Sequence, residues 1–561
     1  MNKKIDYWKN FKSLDPQLKG LLDKASETEL KDAFYTDLEF GTAGMRGLLG
    51  PGPNRLNIYT IRKANLAFAR YLLQYPTAKE RGVAIAYDNR HMSKEFAMES
   101  AAVLAKHGIK SYVFSSLRPT PELSYAVRYL QCEGGIVITA SHNPKEYNGY
   151  KVYDDKGCQL VPHLIDQVIA EIKKIEDELT IDVTLNETQK KLIHIIDKEV
   201  DEPYLNAVLG CQFRPEQDKS KVKLVFTPQH GTANIPVREV LSKAGYYAVP
   251  LLSQCDPDPD FSNTKSPNPE EKIAYEGAIA LAKTEHADAV LSTDPDADRL
   301  GIAVLHQGDY VLLTGNQTGS ILIDYIFSTR KELNKMPKHP VMFNTVVTSD
   351  LGEKIATYYG VETEKTLTGF KFIGEKIAAY EVNHKKDFVF GYEESYGYLF
   401  EPFVRDKDAI QACLMLAECL TYHKNQGRTL VDVLNGLYER HGTHLEDQVS
   451  LTLKGEEGAK RIKEILTHFR TENISAFAGI KIVGKEDYLT SIKMDHGKQS
   501  TLDFTKSDVI KYYLEDGSWI AIRPSGTEPK CKFYFCIVAK DQAEVQAKFN
   551  AIKADLQKHY Q

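Results

Sequence analysis

The sequence predicts an α/β protein of four domains, three with similar mixed α/β sheets and a smaller α+β domain at the C-terminal end. One observation is length: 561 residues, at roughly 100–200 residues per domain, suggest three or four domains. Another is a strand–loop–helix–glycine–strand unit that occurs three times, beginning near residues 83, 222 and 341. The last is a change of pattern in the tail, where strands flank a polar loop and one amphipathic helix follows.

In chain order, residues 1–35 read as a helical leader that runs into the glycine-dense stretch Phe40-Gly-Thr-Ala-Gly-Met-Arg-Gly47. The first unit is the apolar run Val83–Tyr87, a helix-like stretch through Ala105, Gly108 placed to end that helix, and Ile109–Phe114 as the next strand. The second is Val222–Phe226, the loop Thr227–Ala233, a helix to Lys243, Gly245 and the extended run Tyr246–Leu252. The third is Val341–Val347, Thr348-Ser-Asp350, a helix to Tyr359 and Gly360. Continuous apolar strand runs with crossover helices are the mark of parallel-type sheets buried on both faces. The copies are only weakly similar, so chance recurrence stays open beside a true repeat. In the tail, Trp519–Arg523 and Lys532–Val538 read as strands. Asp541, with Glu544 three residues on, caps a helix whose apolar face is Val545, Phe549, Ile552 and Leu556.

Composition narrows the partners. Lys and Arg number 71 against 77 Asp and Glu, a net charge of −6, which gives no electrostatic reason to expect nucleic acid or an anionic membrane. No apolar run reaches the ~18 residues of a membrane span, and the opening residues lack the apolar core of a secretory signal. The eight cysteines form no CxxC pair, so neither a disulfide framework nor a zinc site is indicated. The expectation is a cytoplasmic enzyme acting on small molecules, of undetermined oligomeric state.

Four stretches could carry chemistry. In Ile136-Val-Ile-Thr-Ala-Ser-His-Asn-Pro144 an apolar strand stops sharply and presents Ser141 at its tip, where α/β sheets place ligands; a plain surface turn fits the local pattern as well. In Ser292-Thr-Asp294-Pro-Asp296-Ala-Asp298-Arg299 three alternating carboxylates can converge on one hard cation. An EF-hand is excluded, because its glycine position is Arg299 and its glutamate position is Leu305. Asp256-Pro-Asp258-Pro-Asp260 has the same spacing, so spacing does not separate a metal loop from a solvated acidic turn. Ile522-Arg-Pro-Ser-Gly-Thr527 supplies a charged fork, hydroxyls and a close backbone approach, the parts of a phosphate cradle, though a hairpin turn would read alike. Phe390-Gly-Tyr-Glu-Glu-Ser-Tyr-Gly397 could bind sugar hydroxyls or be an ordinary polar turn. Arg405-Asp-Lys-Asp408 reads by itself as a solvated charge cluster.

Together, and in this order along nearly the whole chain, these stretches resemble the α-D-phosphohexomutase superfamily, in the branch of the bacterial α-phosphoglucomutases and related phosphopentomutases. The resemblance implies four domains around a central cleft, over residues 1–206 with a phosphoserine loop, 207–312 with a metal loop, 313–443 with a sugar loop and 444–561 with a phosphate loop. It implies that Ser141 carries a phosphoryl group and completes a site for one Mg²⁺ with Asp294, Asp296 and Asp298. Lys151 matches a general acid/base candidate, and Arg46 and His142 accompany it in the catalytic group. Arg299, Thr368, Gly369, Glu393 and Ser395 match substrate contacts, and Arg523, Ser525, Gly526 and Thr527 match the loop gripping the non-reacting phosphate. Some family members carry a histidine just after the sugar-loop serine; here that place holds Tyr396 and Gly397, and Lys407 matches the residue that takes over proton transfer. The implied reaction interconverts glucose 1-phosphate and glucose 6-phosphate through glucose 1,6-bisphosphate. Mannose or pentose phosphates, or synthesis of the bisphosphate itself, remain alternatives on the same scaffold.

Overall fold

A computed structural model describes residues 1–41, 44–453, 455–524 and 530–560. The chain divides into two compact units: Met1–Thr318 with Pro337–Val341 and Gly369–Thr429, and Gly319–Met336 with Met342–Thr368 and Leu430–Gln561.

The first unit opens with three short helices, Asn2–Asn10, Pro16–Lys24 and Glu27–Phe34. Asp15 caps the second, and Ser26 forms a capping box with Glu29 on the third. They stay folded because Trp8, fully buried, packs edge-on against Phe34 and Tyr59. The leader is thus helical as expected, in three pieces.

A seven-stranded sheet follows in the order Phe40–Gly41, Gly44–Leu48, Tyr147–Tyr153, Gly134–Ile138, Val83–Tyr87, Ser111–Phe114, Ile193–Ile196. Its last four strands are parallel and Tyr147–Tyr153 runs antiparallel to Gly134–Ile138. Strand Val83–Tyr87 is buried on both faces: Val83, Ile85 and Tyr87 join Phe68, Phe96 and Leu104, while Ala84 and Ala86 meet Leu123 and Val127. That two-sided burial is why the strand reads as an unbroken apolar run, each large side chain contributing roughly 1.5–3 kcal/mol. Helix Ser93–Lys106 ends at His107, and Gly108 takes φ +75° just beyond it.

The second repeat forms a five-stranded sheet ordered Asp309–Leu313, Leu300–His306, Ala289–Thr293, Lys223–Thr227, Tyr247–Pro250. Ala289–Thr293 is parallel to Lys223–Thr227 and antiparallel to Leu300–His306. The first unit also holds the antiparallel hairpin Asp387–Glu393/Gly397–Leu399 and the long helix Ala409–Asn425.

In the second unit lie helix Asp350–Tyr359, capped by Ser349, and strand Glu362–Thr366. They complete the third predicted unit with Gly360 at φ +76°. The C-terminal part is an antiparallel sheet ordered Thr443–Thr452, Lys530–Ala539, Trp519–Pro524, Ile510–Leu514, Ile480–Asp487, Ile492–Asp495, Lys498–Thr501. Two helices cover it, not one: Gln542–Gln557 buries Val545, Phe549, Ile552 and Leu556 as expected, and Gly455–Thr471 adds Ile462, Ile465, Leu466 and Phe469 to the same core. The tail is therefore α+β as predicted, with more strands and one more helix than its sequence announced. All eight cysteines are buried and free of disulfides.

Candidate active site

Strand Gly134–Ile138 ends beside the strand Val83–Tyr87, and the chain turns through Thr139–Pro144. Ser141 sits in that turn with φ +51°, a left-handed conformation that costs a non-glycine residue about 1–2 kcal/mol. Its amide donates to Thr139 Oγ1 at 2.8 Å, and its hydroxyl donates to Asp294 Oδ2 at 2.6 Å. His142 Nδ1 lies 3.1 Å from the same hydroxyl. The turn closes against Gly149 on the neighbouring strand, where a Cβ would meet the Thr139 carbonyl at 2.3 Å.

The aspartate loop leaves the end of strand Ala289–Thr293. Asp294 Oδ1 accepts the amides of Asp298 and Arg299 at 3.1 and 3.0 Å, which curls the loop and brings the three carboxylates together. One oxygen from each lies within 4.8 Å of the others. Asp296 Oδ2 accepts from Thr120 Oγ1 and from Lys151 Nζ, both at 2.9 Å. Asp298 Oδ2 pairs with Lys151 at 3.3 Å and Lys407 at 3.1 Å. The other oxygens, Asp296 Oδ1 and Asp298 Oδ1, are buried with no hydrogen-bond partner among the described residues.

Asp298 Oδ1 has only the more distant Arg299 Nε at 3.8 Å; buried carboxylate oxygens without hydrogen bonds are costly, and an all-oxygen set suits a hard cation such as Mg²⁺. The residues therefore fit a metal ion. Their twin in sequence does not: Asp256 and Asp260 are exposed, and Asp260 pairs with Lys145 and His91 on the surface. Burial, not spacing, separates the two loops.

The electrostatics follow from that packing. Burial drives the Asp294 carboxyl well above the usual carboxylate range, and Asp296 and Asp298 push it the same way. Asp298 is held below that range despite burial, because Lys407, Lys151 and Arg299 surround it. Burial opposes the charge on Lys151 and Lys407, yet the facing aspartates outweigh it and keep both ammoniums above the ordinary lysine value. Burial, with Arg299 and Arg46 nearby, keeps His142 well below the ordinary imidazole value, hence neutral. Arg46 reaches Asn143 Oδ1 at 2.7 Å, and Arg299 pairs with Glu270.

Glu393 ends the strand Asp387–Glu393 and accepts the Gly369 amide at 2.8 Å; burial pushes its carboxyl up to about 7. Ser395 follows in the half-buried turn. Arg405-Asp-Lys-Asp408 is not a solvated cluster, as its charges alone suggest. Arg405, Asp406 and Asp408 are buried, and Lys407 bridges Asp298 to Asp406, each at 3.1 Å. Ser141, His142, Lys151, Arg46, the three aspartates, Arg299, Gly369, Glu393, Ser395 and Lys407 all belong to the first unit. Thr368 belongs to the second. So does Arg523, half-buried near the end of strand Trp519–Pro524; Ser525, Gly526 and Thr527 lie outside the described residues.

The sequence did not single out Thr120, Glu270, Asn143 or Arg90 as site residues. Thr120 follows Pro119 at the start of a helix, Thr120–Tyr129, and its amide also donates to the Asp296 carbonyl at 2.9 Å. Arg90 stands just past the end of strand Val83–Tyr87, a position that was the available signal.

The four domain models of the phosphoglucomutase/phosphomannomutase family match residues 37–179, 202–308, 314–441 and 466–553, the first three as α/β/α domains and the last as the C-terminal domain. The chain belongs to this family. A phosphoglucomutase of Staphylococcus aureus is 41% identical over 546 residues, covering 96% of each chain. The crystal structure of parafusin, a Paramecium phosphoglucomutase, is similar in fold with TM-score 0.66 at 19% identity, covering 94% of this chain and 95% of that one. An Aspergillus fumigatus N-acetylphosphoglucosamine mutase variant, solved in complex with glucose 1,6-bisphosphate, shares the fold with TM-score 0.51 at 13% identity, covering 97% of each. As a member of the phosphoglucomutase/phosphomannomutase family the chain is an enzyme, an isomerase of the phosphotransferase kind, and its nearly full-length likeness to phosphoglucomutases supports phosphoglucomutase function. Among the described residues no helix is long and apolar enough to cross a membrane.

Proposed function

We propose that the enzyme interconverts glucose 1-phosphate and glucose 6-phosphate, with Ser141 as the phosphoryl carrier and glucose 1,6-bisphosphate as the intermediate. The observation that carries this is the Ser141 hydroxyl bonded to Asp294, inside a buried triad of carboxylates. Asp294, Asp296 and Asp298 would hold one Mg²⁺, which when bound neutralises charge on the transferring group.

In the first half-reaction the bond from phosphorus to Ser141 Oγ breaks as the free sugar hydroxyl bonds to phosphorus. The hydroxyl loses a proton and the serine oxygen gains one. Lys151 and Lys407, whose ammoniums face Asp296 and Asp298 at 2.9–3.3 Å, would exchange these protons. The neutral imidazole of His142, 3.1 Å from Ser141 Oγ, would orient that oxygen. The bisphosphate then reorients, and Ser141 Oγ takes the other phosphoryl group. Arg299 would supply fixed positive charge at the reacting end, and Glu393 and Ser395 would contact hydroxyls near the middle of the ring. Arg523, with Ser525, Gly526 and Thr527, would bind the phosphate that is not reacting. Such transfer depends on in-line placement and charge neutralisation.

The test is Ser141→Ala. It should abolish turnover in an assay that couples glucose 6-phosphate to a dehydrogenase, and should lack the about 80 Da of covalent phosphoryl carried by the wild type. Activity equal to wild type would reject the scheme. Comparing kcat/KM for glucose 1-phosphate, mannose 1-phosphate and ribose 1-phosphate tests the sugar.

A further inference from the structure

The loop that presents Ser141 has no regular structure of its own, and its backbone acceptors converge on one side chain. Arg90 is buried at 3% exposure. Its Nη2 donates to the carbonyl of Ser141 at 2.6 Å and to that of Asn143. Its Nη1 donates to the carbonyls of Pro144 at 2.8 Å and Tyr147 at 3.0 Å. One guanidinium therefore spans the loop from the nucleophile to the start of the next strand.

Arg90 is itself fixed. Its Nε faces Asp88 Oδ2 at 3.4 Å, and Asp88 Oδ1 accepts the Arg90 amide at 2.9 Å and Ser93 Oγ at 2.7 Å. Asn148, two residues before Tyr150, donates to Ser93 Oγ and to the His91 carbonyl, each at 2.9 Å, so the strand that follows the loop is tied to the same base. The Phe261 ring lies 5.2 Å from the guanidinium carbon.

We infer that Arg90, braced by Asp88, is the positioning residue that holds the nucleophile loop in the conformation placing Ser141 Oγ for phosphoryl transfer. The inference rests on Ser141 being the phosphoryl carrier. Three physical points support it. Ser141 is in the left-handed region, which a serine leaves unless its surroundings over-determine it. Arg90 bonds the carbonyl of that residue, so it fixes the peptide on one side of the nucleophile while Thr139 Oγ1 fixes the amide on the other. And the planar fork reaches four carbonyls spread along the loop from two separate nitrogens, whereas the three donors of a lysine radiate from one. Arg90 acts through the backbone and makes no contact with Ser141 Oγ in this arrangement.

The experiment uses full-length enzyme, wild type, Arg90→Lys, Arg90→Ala and Asp88→Asn, each phosphorylated with glucose 1,6-bisphosphate and checked by intact mass and thermal unfolding. Transfer from phosphoenzyme to glucose 1-phosphate is then timed in a single turnover. Arg90→Lys should transfer about 10²-fold more slowly, the cost of about 1 Å of misplacement at a reacting centre, at an unchanged half-saturating concentration of glucose 1-phosphate. Guanidinium ion should restore part of the rate to Arg90→Ala and none to Arg90→Lys, and Asp88→Asn should fall less than either. Should Arg90→Ala fail to fold, Arg90→Lys and Asp88→Asn, which keep the charge or the shape, decide the matter. A wild-type rate in Arg90→Lys, or a loss that only tracks the folded fraction, would overturn the clamp alone. An active wild type whose Ser141 never carries a phosphoryl group would overturn the reaction scheme and the clamp with it.

Discussion

Replacing Gly397 by alanine tests whether Lys407 must stand where it does. Gly397 begins the strand Gly397–Leu399 with an ordinary φ, so the added methyl brings no backbone strain. Its Cβ would lie 2.0 Å from Lys407 Cδ, 2.7 Å from Cγ and 3.2 Å from Cε. Van der Waals contact begins near 3.4 Å, so the middle of the lysine stem must retreat by more than an ångström. Its ammonium, 3.1 Å from both Asp298 and Asp406, moves with it and loses at least one partner. Overpacking a buried position costs about 1–3 kcal/mol, whereas a displacement of about 1 Å of a participating group costs about 10²-fold in rate. The variant should therefore remain folded, with kcat in the coupled glucose 1-phosphate assay down about 10²-fold and KM little changed. Gly436→Ala is the control. It lies inside helix Leu430–His441 with nothing within 4 Å of the added Cβ, and should raise the unfolding temperature through about 1 kcal/mol of helix propensity without changing kcat. Wild-type kcat in Gly397→Ala would show that the position of Lys407 is immaterial and would remove it from the proton pathway.

Two more predictions follow from the same geometry. Asp296→Asn keeps the shape that Thr120 and Lys151 grip but removes a charge from the triad, so kcat should fall by at least about 10² with the unfolding transition retained, and full activity in excess chelator would remove the metal from the scheme. Glu393, pushed up to about 7 by burial, binds its proton more tightly in the folded chain than at the ordinary value of 4.5. It therefore contributes stability that is fully present below pH 4.5 and lost as pH rises through 7, about 3 kcal/mol in all. Glu393→Gln should flatten that part of the stability–pH curve measured by urea unfolding, and an unchanged slope between pH 4.5 and 7 would show that the carboxyl is not held neutral.

What the sequence disclosed depended on how local the cause was. Strands such as Val83–Tyr87 and Ala289–Thr293 are buried on both faces, so their apolar runs are unbroken and their ends are punctuated by Gly, Asp or Pro. Strand Lys498–Thr501 is exposed along its whole length and Ile492–Asp495 is half-exposed, so neither the period nor the composition of a strand is imposed on them. Helix Gly455–Thr471 hides four apolar residues among lysines and glutamates. The site divides the same way. Ser141 and the Asp294 loop announce themselves because each motif is contiguous. Thr120 is invisible because its partner Asp296 is 176 residues away, and Arg90 because the Ser141 carbonyl is 51 residues away. A sequence motif reports candidate groups that lie close together along the chain; the groups that hold them in place are found only once the chain has folded.

That division also explains why one acidic run is buried and its twin is not. Carboxylates can be buried together as charges only if positive charge is buried with them; here Asp296 and Asp298 keep theirs beside Lys151 and Lys407, and Asp294 is pushed toward the neutral form. Strand Tyr147–Tyr153 delivers Lys151 and the turn before helix Ala409–Asn425 delivers Lys407, from stretches of sequence far apart, and Arg299 follows the triad directly. Asp256 and Asp260 stay exposed at the surface, where the exposed Lys145 and His91 pair with Asp260. The lysines meet a second requirement. On the proposed scheme a phosphoserine would bring a charge of about −1.5 to −2 and a divalent cation two positive charges, so the pair would add almost nothing to the net charge of the buried site, whereas either alone would leave it far from balance. An arrangement that is tolerable both with and without the pair has to carry ammoniums able to take up and release the carboxylate oxygens. Lysine, with a compact charge on a flexible stem, suits that role better than the rigid fork of arginine. The proposed scheme thus fits lysines at 151 and 407, where carboxylate oxygens would change partners, and an arginine at 90, where the loop would be held still.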